Sequence, residues 1–364
     1  PIQKGNHMTT NTIRRFALKL ALGGLAAGTL LAAAAPAMAQ GKGSADIASY
    51  TGADREKRLI EGAKKEGPLM IYTSAPIDDM TTLTNAFEKK YGIKVKLWRA
   101  GSEKVLQRTV TEARAGRYDV DIIETNGPEM EALQREKILQ PVKSPYLKDL
   151  IPQAIFPHGG WVSTRLNIFV MAYNTGRIKK EDLPKTYADL LDPKWKGKLG
   201  IEAEDADWFA GVGGELGEEK GLKLFRDVVA KNGISVRKGH TLLTNLVASG
   251  EIPLAMTVYN YKAEQLKQKG APLEWFYIAP AIARPNGVGM TKHSPNPHAA
   301  VLFFDFMLSD AQKILLERDF VPTSTKVDTH LNKLPIKFVD PKVILDENQK
   351  WTGLYDEIFT KQSK

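Results

Sequence analysis

The chain is 364 residues long, 43% hydrophobic and 26% charged, with a formal net charge of +9 and no cysteine. That composition excludes a disordered chain and a disulfide scaffold, and the length allows one large core or two smaller ones. Lys and Arg alternate with Asp and Glu instead of gathering into a basic stripe, which argues against nucleic acid as a partner.

The first 39 residues read as a leader and not as part of the fold. Pro1–His7 (residues 1–7) has the look of an expression tag, and Met8 reads as the natural start of a cleavable signal peptide over 8–39. A basic stretch with Arg14, Arg15 and Lys19 precedes an apolar run from Leu20 to Ala35, and Ala37-Met38-Ala39 is a small-x-small cleavage site. The paired arginines also fit a twin-arginine signal. With no cysteine to carry a lipid, the cleaved chain is expected to be free in the periplasm. Losing Lys4, Arg14, Arg15 and Lys19, with no acidic residue, lowers the net charge from +9 to +5.

Beyond a helix over 54–65, strands and helices alternate. Leu69–Tyr72 is a short apolar strand followed by the turn 73–76. Met80, Leu83, Phe87 and Tyr91 share one helical face that Gly92 ends. Residues 93–98 alternate as a strand, a helix capped by Ser102 runs to about Ala115, Val120–Ile123 is a third strand, and Pro128 opens a third helix. This rhythm predicts a parallel sheet flanked by helices, with ligand beyond the carboxyl ends of the strands, at the turns 73–76, 99–102 and 124–128. A Pro-rich connection then leads to an apolar strand over 166–173. A second alternating set follows, with strands at 199–202, 234–237, 252–258 and 273–278 and helices between them. Two helices at 297–308 and 310–318 and a terminal helical segment close the chain. The economical reading has lobe 1 over 50–172 plus 280–364 and lobe 2 over 173–279. The chain would cross near 166–174 and 273–280, forming a two-strand hinge around a ligand cleft.

Several segments in order carry a family likeness: Trp98–Val105 leading a helix, Ala172-Tyr173-Asn174-Thr175, the run Asp189–Lys198 (DLLDPKWKGK), and Gly250-Glu251-Ile252-Pro253. The set resembles the extracellular solute-binding proteins of ABC importers, in the ferric-iron-binding branch of the type II periplasmic binding proteins. The resemblance implies a two-lobed α/β trap, each lobe a mostly parallel sheet flanked by helices. It also implies delivery of a ligand to an inner-membrane permease, no required cofactor, and a monomer. In the iron-binding relatives two adjacent tyrosines after the Gly-Glu segment supply phenolates to the metal, often with an anion at helix N-termini. Here Tyr259-Asn260-Tyr261 stands in that place, and Thr73-Ser74-Ala75 stands where the relatives often carry a histidine.

Three ligand classes follow. Fe(III) is a hard ion that seeks oxygen donors, and Tyr259, Tyr261, Glu124, Asp205 and Asp207 are the candidates. A small carboxylate or phosphonate would instead use Thr73, Ser74, Ala75, Ser102, Asn126 and Thr241 at turns and helix N-termini, with Arg99 and Arg165 adding charge. A polyamine-like cation would stack on Trp208 or Trp161 opposite Asp207. A periplasmic sensor is the remaining binding alternative. An enzyme is not expected: there is no thiol, no G-x-S-x-G, no H-E-x-x-H, and the glycine-rich 211–217 run lacks the third glycine of a dinucleotide fingerprint. The histidines show no metal-ligand spacing.

Overall fold

The computed structural model describes residues 43–329 and 333–362; the leader expected over 8–39 lies outside the described residues. No helix among the described residues is long and apolar enough to cross a membrane.

The first half of the chain runs α1 (Ser44–Ser49), α2 (Arg55–Ala63), β1 (Leu69–Thr73), α3 (Ile77–Tyr91), β2 (Val95–Arg99), α4 (Ser102–Arg114), β3 (Ile122–Asn126), α5 (Gly127–Arg135), β4 (Leu139–Gln140) and the long β5 (Val162–Asn174). The second runs β6 (Leu199–Glu202), α6 (Ala206–Leu216), α7 (Glu218–Asn232), β7 (Ser235–Arg237), α8 (His240–Ser249), β8 (Leu254–Tyr259), α9 (Asn260–Gln268) and β9 (Leu273–Phe276). The chain then forms β10 (Ala281–Thr291), α10 (Pro297–Leu308), α11 (Ala311–Glu317), β11 (Val321–Pro322), β12 (Ile336–Phe338), α12 (Pro341–Asp346) and α13 (Asn348–Tyr355).

Local sequence explains most boundaries. The face of α3 that carries Met80, Leu83, Phe87 and Tyr91 is buried, and Gly92 ends it in the left-handed region at φ 73°. Ser102 is not the cap of α4: Gly101 holds the N-cap position and Ser102 is the first helical residue. Glycine likewise precedes α8, at Gly239, so Thr241 is not its cap either.

The strands form one path, β2-β1-β3-β10-β5-β8-β6-β7. At one end β1 pairs parallel with β2 and β3; at the other β6 pairs parallel with β7 and β8. Two long antiparallel strands join these ends. β10 lies between β3 and β5, and β5 pairs with β10 through Val162–Ile168 and with β8 and β9 through Phe169–Asn174. Both strands are buried along their whole length. The expected strand over 273–278 is shorter, ending at Phe276. The strand β10, which the sequence reading passed over, runs from that side of the sheet back to β3.

The C-terminal segment departs from the expectation that 280–364 all belongs with the first sheet. β12 pairs with β10, and Arg135 of α5 binds Asp346 of α12. From Asn348 on, the chain packs instead against α6 and α7: Trp351, Tyr355 and Phe359 all meet Phe209 edge-on, and Arg226 binds Glu357. The physical reason is an apolar face of α13 that finds its aromatic partners there.

Candidate ligand cleft

Two groups of side chains meet where the strands end. The first lies on β1, β2 and β3. Thr73 is buried and donates its hydroxyl to Glu124; Glu124 also accepts from Arg165 of β5. Thr125 Oγ1 donates to Ser74 Oγ at 2.9 Å, and the amide of Ala75 donates to Thr73 Oγ1 at 3.0 Å. Asn126 Nδ2 donates to Ser102 Oγ at 2.6 Å while its Oδ1 accepts from Asn286 of β10 at 2.8 Å. Arg99 is exposed and curls back, donating to the carbonyls of Ala75 at 3.2 Å and Ser74 at 3.4 Å. The eight residues expected here therefore come together, but their polar groups already hold one another and fasten the turn.

The second group is built from β6, α6, α8 and β8. The strand β8 ends at Tyr259, and Asn260 begins α9. Asn260 is buried, accepts from the amide of Ile168 at 3.3 Å and donates to the carbonyl of Asp319 at 3.4 Å. That anchorage leaves Tyr259 and Tyr261 side by side with ring centroids 5.8 Å apart at 21°, although the strand does not continue past the first. Tyr259 stacks on His240 at 3.7 Å and Tyr261 on Phe320 at 4.1 Å. Both tyrosines are 5% exposed. Burial raises the Tyr261 phenol, against the lowering influence of Arg165 and with help from Asp79 and Glu124. Arg165 and Glu124 are members of the first group, so the two groups adjoin.

Asp205 precedes α6 in the N-cap position, yet its carboxylate makes no capping bond; Oδ1 lies 3.2 Å from His240 Nε2. Glu202 accepts from the amides of Gly239 at 2.7 Å and Glu204 at 2.5 Å. Burial raises the Glu202 carboxyl, and the neighbouring Asp205 adds to it. Burial opposes the charge of His240, but Asp205 and Glu202 outweigh it and raise the imidazole. Asp207 accepts from Arg284 of β10 at 2.8 Å, and Arg284 lies over Phe169 and Tyr259 at 5.2 and 5.4 Å. Burial raises the Asp207 carboxyl despite this partner. Glu129, from the first turn of α5, feels the same arginine; burial pushes its carboxyl up to about 7, and Oε2 has no hydrogen-bond partner among the described residues.

Three expected residues stand elsewhere. Trp208 is in the aromatic interior beside α7, edge-on to Phe225 at 5.6 Å and Tyr187 at 6.1 Å. Thr241 is exposed on the first turn of α8, one residue beyond the inward-facing His240. Trp161, the other stacking candidate, is buried against Phe156. Sequence reasoning did not single out Glu129, Glu202, His240 or Arg284 as site residues. One usable signal was His240 at a helix start facing the acid-rich 202–207 segment.

A family model described as bacterial extracellular solute-binding protein matches residues 73–314. Iron uptake protein A1 of Synechocystis sp. is 24% identical over 308 residues, which cover 80% of this chain and 85% of that protein. Among solved structures, iron-bound HitA from Pseudomonas aeruginosa superposes with a TM-score of 0.70 at 23% identity, covering 80% of this chain and 99% of that one. AfuA from Actinobacillus pleuropneumoniae, with exogenous fructose-6-phosphate bound, superposes at 0.71 and 23%, covering 81% and 99%.

Proposed function

From the premise that this chain belongs to the bacterial extracellular solute-binding protein family, we propose that it is the periplasmic binding component of an ABC importer and that its cargo is ferric iron. The fold is the two-lobed one of the matched periplasmic binding proteins. In this reading β5 and β10 are the strands that join the lobes, and the cleft lies where Glu124 and Arg165 meet Tyr259, Tyr261 and the acids of 202–207. The chain works as a monomeric trap that hands its cargo to the permease and catalyses no reaction.

The observation that carries the iron reading is the excess of acid in the cleft. Five buried or half-buried carboxyl groups, of Glu124, Glu129, Glu202, Asp205 and Asp207, outnumber the guanidiniums of Arg165, Arg284 and the exposed Arg99 and the imidazole of His240, with two phenols alongside. Oxygen donors with net negative charge in low dielectric suit a hard cation. The relative named Iron uptake protein A1 and the iron-bound HitA support the same cargo. Iron would displace the proton of each phenol it binds, so capture weakens as pH falls. Closure then shifts an existing open–closed equilibrium through contacts from the second lobe.

A second reading, a small phosphorylated or carboxylate solute, rests on the hydroxyl and amide turn of Ser74, Ser102, Thr125 and Asn126 beside Arg99, and on the sugar phosphate in AfuA. Titration of the metal-stripped chain with ferric citrate separates the two. The iron reading expects a visible tyrosinate-to-iron band, lost in Tyr259→Phe or Tyr261→Phe, and a rise in melting temperature with iron. A rise with fructose-6-phosphate or a phosphonate, and no band with iron, would replace it by the second reading.

A further inference from the structure

We propose that Glu202, Asp205 and His240 form a three-donor site in the same cleft for a divalent transition-metal ion that binds without the tyrosine phenolates, sharing Glu202 and Asp205 with the acid on which the iron reading rests. One ligand atom from each of the three lies within 4.8 Å of the others. His240 Nε2 and Asp205 Oδ1 are 3.2 Å apart. Two donors bound at about 2.1 Å to one ion, at right angles, sit about 3 Å from each other, so this pair already has the spacing of adjacent ligands. One imidazole nitrogen with two carboxylates is a donor set for a borderline cation such as zinc, cobalt, manganese or ferrous iron, and is softer than the all-oxygen set that favours ferric ion.

A purely structural His–Asp pair explains the geometry less well. Asp205 is 1% exposed, yet among the described residues its Oδ2 has no hydrogen-bond partner. Buried polar atoms are nearly always satisfied, and an orphaned carboxylate oxygen beside the imidazole marks a place where something else binds. The third donor is preset. Glu202 is the last residue of β6, and the amides of Gly239 and Glu204 hold its two oxygens. Each carboxylate oxygen keeps a second lone pair for an ion. Tyr259, stacked on the imidazole at 3.7 Å, sets the plane of His240. Arg284, whose charge acts on His240, is engaged by Asp207 at 2.8 Å. The donors come from the end of β6 and the starts of α6 and α8, so this site does not need β1, β2 or β3 to assemble.

Cobalt(II) is the probe, because its visible absorption appears when nitrogen and carboxylate donors replace water and owes nothing to phenolate charge transfer. Adding Co(II) to the metal-stripped chain is expected to give a band that saturates at about one equivalent. His240→Gln and Asp205→Asn should each weaken binding by roughly tenfold or more. Tyr259→Phe and Tyr261→Phe should keep the band. Glu202→Gln, which retains an acceptor for the backbone amides, serves as a third variant, and circular dichroism checks that each one folds. No cobalt band, or a band with unchanged affinity in folded His240→Gln, overturns the site and leaves a structural ion pair. Because the ferric band depends on the tyrosines and the cobalt band does not, losing one without the other tells which proposal has failed.

Discussion

Glu129 is an acid held far from its ordinary state. Its carboxyl, normally near 4.5, is raised to about 7 by burial that Arg284 only partly offsets. An acid raised on folding binds a proton more readily in the native state. Its contribution to stability is thus full below pH 4.5, falls as pH rises towards 7, and is gone above it. Glu129→Gln is neutral throughout, so the melting-temperature gap between variant and wild type should open in favour of the variant between pH 4.5 and 7 and stay constant beyond. A shift of this size sets a ceiling on the order of 3 kcal/mol. A gap that does not change with pH would mean that the carboxyl titrates normally. At this scale the sequence was only partly legible. Tyr259 and Tyr261 were readable as a pair, but their shared orientation depends on where the side chain of Asn260 is anchored. His240 gave no spacing signal because its partners lie more than thirty positions earlier in the chain. Trp208 was readable only as an aromatic, and three neighbouring rings claim it for the core.

Among the elements, β10 was the hardest to foresee. It contains Arg284-Pro285-Asn286-Gly287, which in sequence spells a turn, and proline and glycine both weaken a central strand. The structure accommodates them through an irregularity in the pairing with β5 between Asn286 and Gly287. Gly287 is required there by proximity: a Cβ would lie 2.3 Å from the Trp161 ring and 2.8 Å from the carbonyl of Val162. Gly287→Ala should push β10 away from β5 and lower stability by about 1–3 kcal/mol, read as a drop in the urea midpoint. The apolar strands and amphipathic helices were legible because burial on one face writes a period into the sequence. β10 was not, since it is buried on all sides and its punctuation serves close approach.

For the whole molecule, the alternation of strands and helices predicted an α/β fold with parallel strands flanked by helices, but nothing in it told where the last helix would go. Trp351 is 5% exposed, meets Phe209 at 5.9 Å and covers Gly213 at 3.2 Å from where a Cβ would stand. Trp351→Ala should cost about 3–5 kcal/mol and increase dye binding to the exposed aromatic cluster. Tyr355 also donates its hydroxyl to the carbonyl of Glu202, so loosening α13 should weaken cargo capture along with stability. A variant that loses stability while its cargo affinity is unchanged would show that α13 is only packing. In the two-lobed reading, adding cargo to wild type should also reduce the radius of gyration in solution scattering; identical curves with and without bound cargo would count against closure.

The placement of α13 also bears on the order in which the protein is made. Phe209 and Phe225 leave the ribosome well over a hundred residues before Phe359, yet Phe359 sits 5.3 and 5.8 Å from them and completes their packing. The aromatic layer of Phe209 and Phe225 therefore stays open on one side until Phe359 is synthesised. A nascent chain cannot close this layer early, and a chain interrupted before Phe359 presents it open to chaperones and proteases.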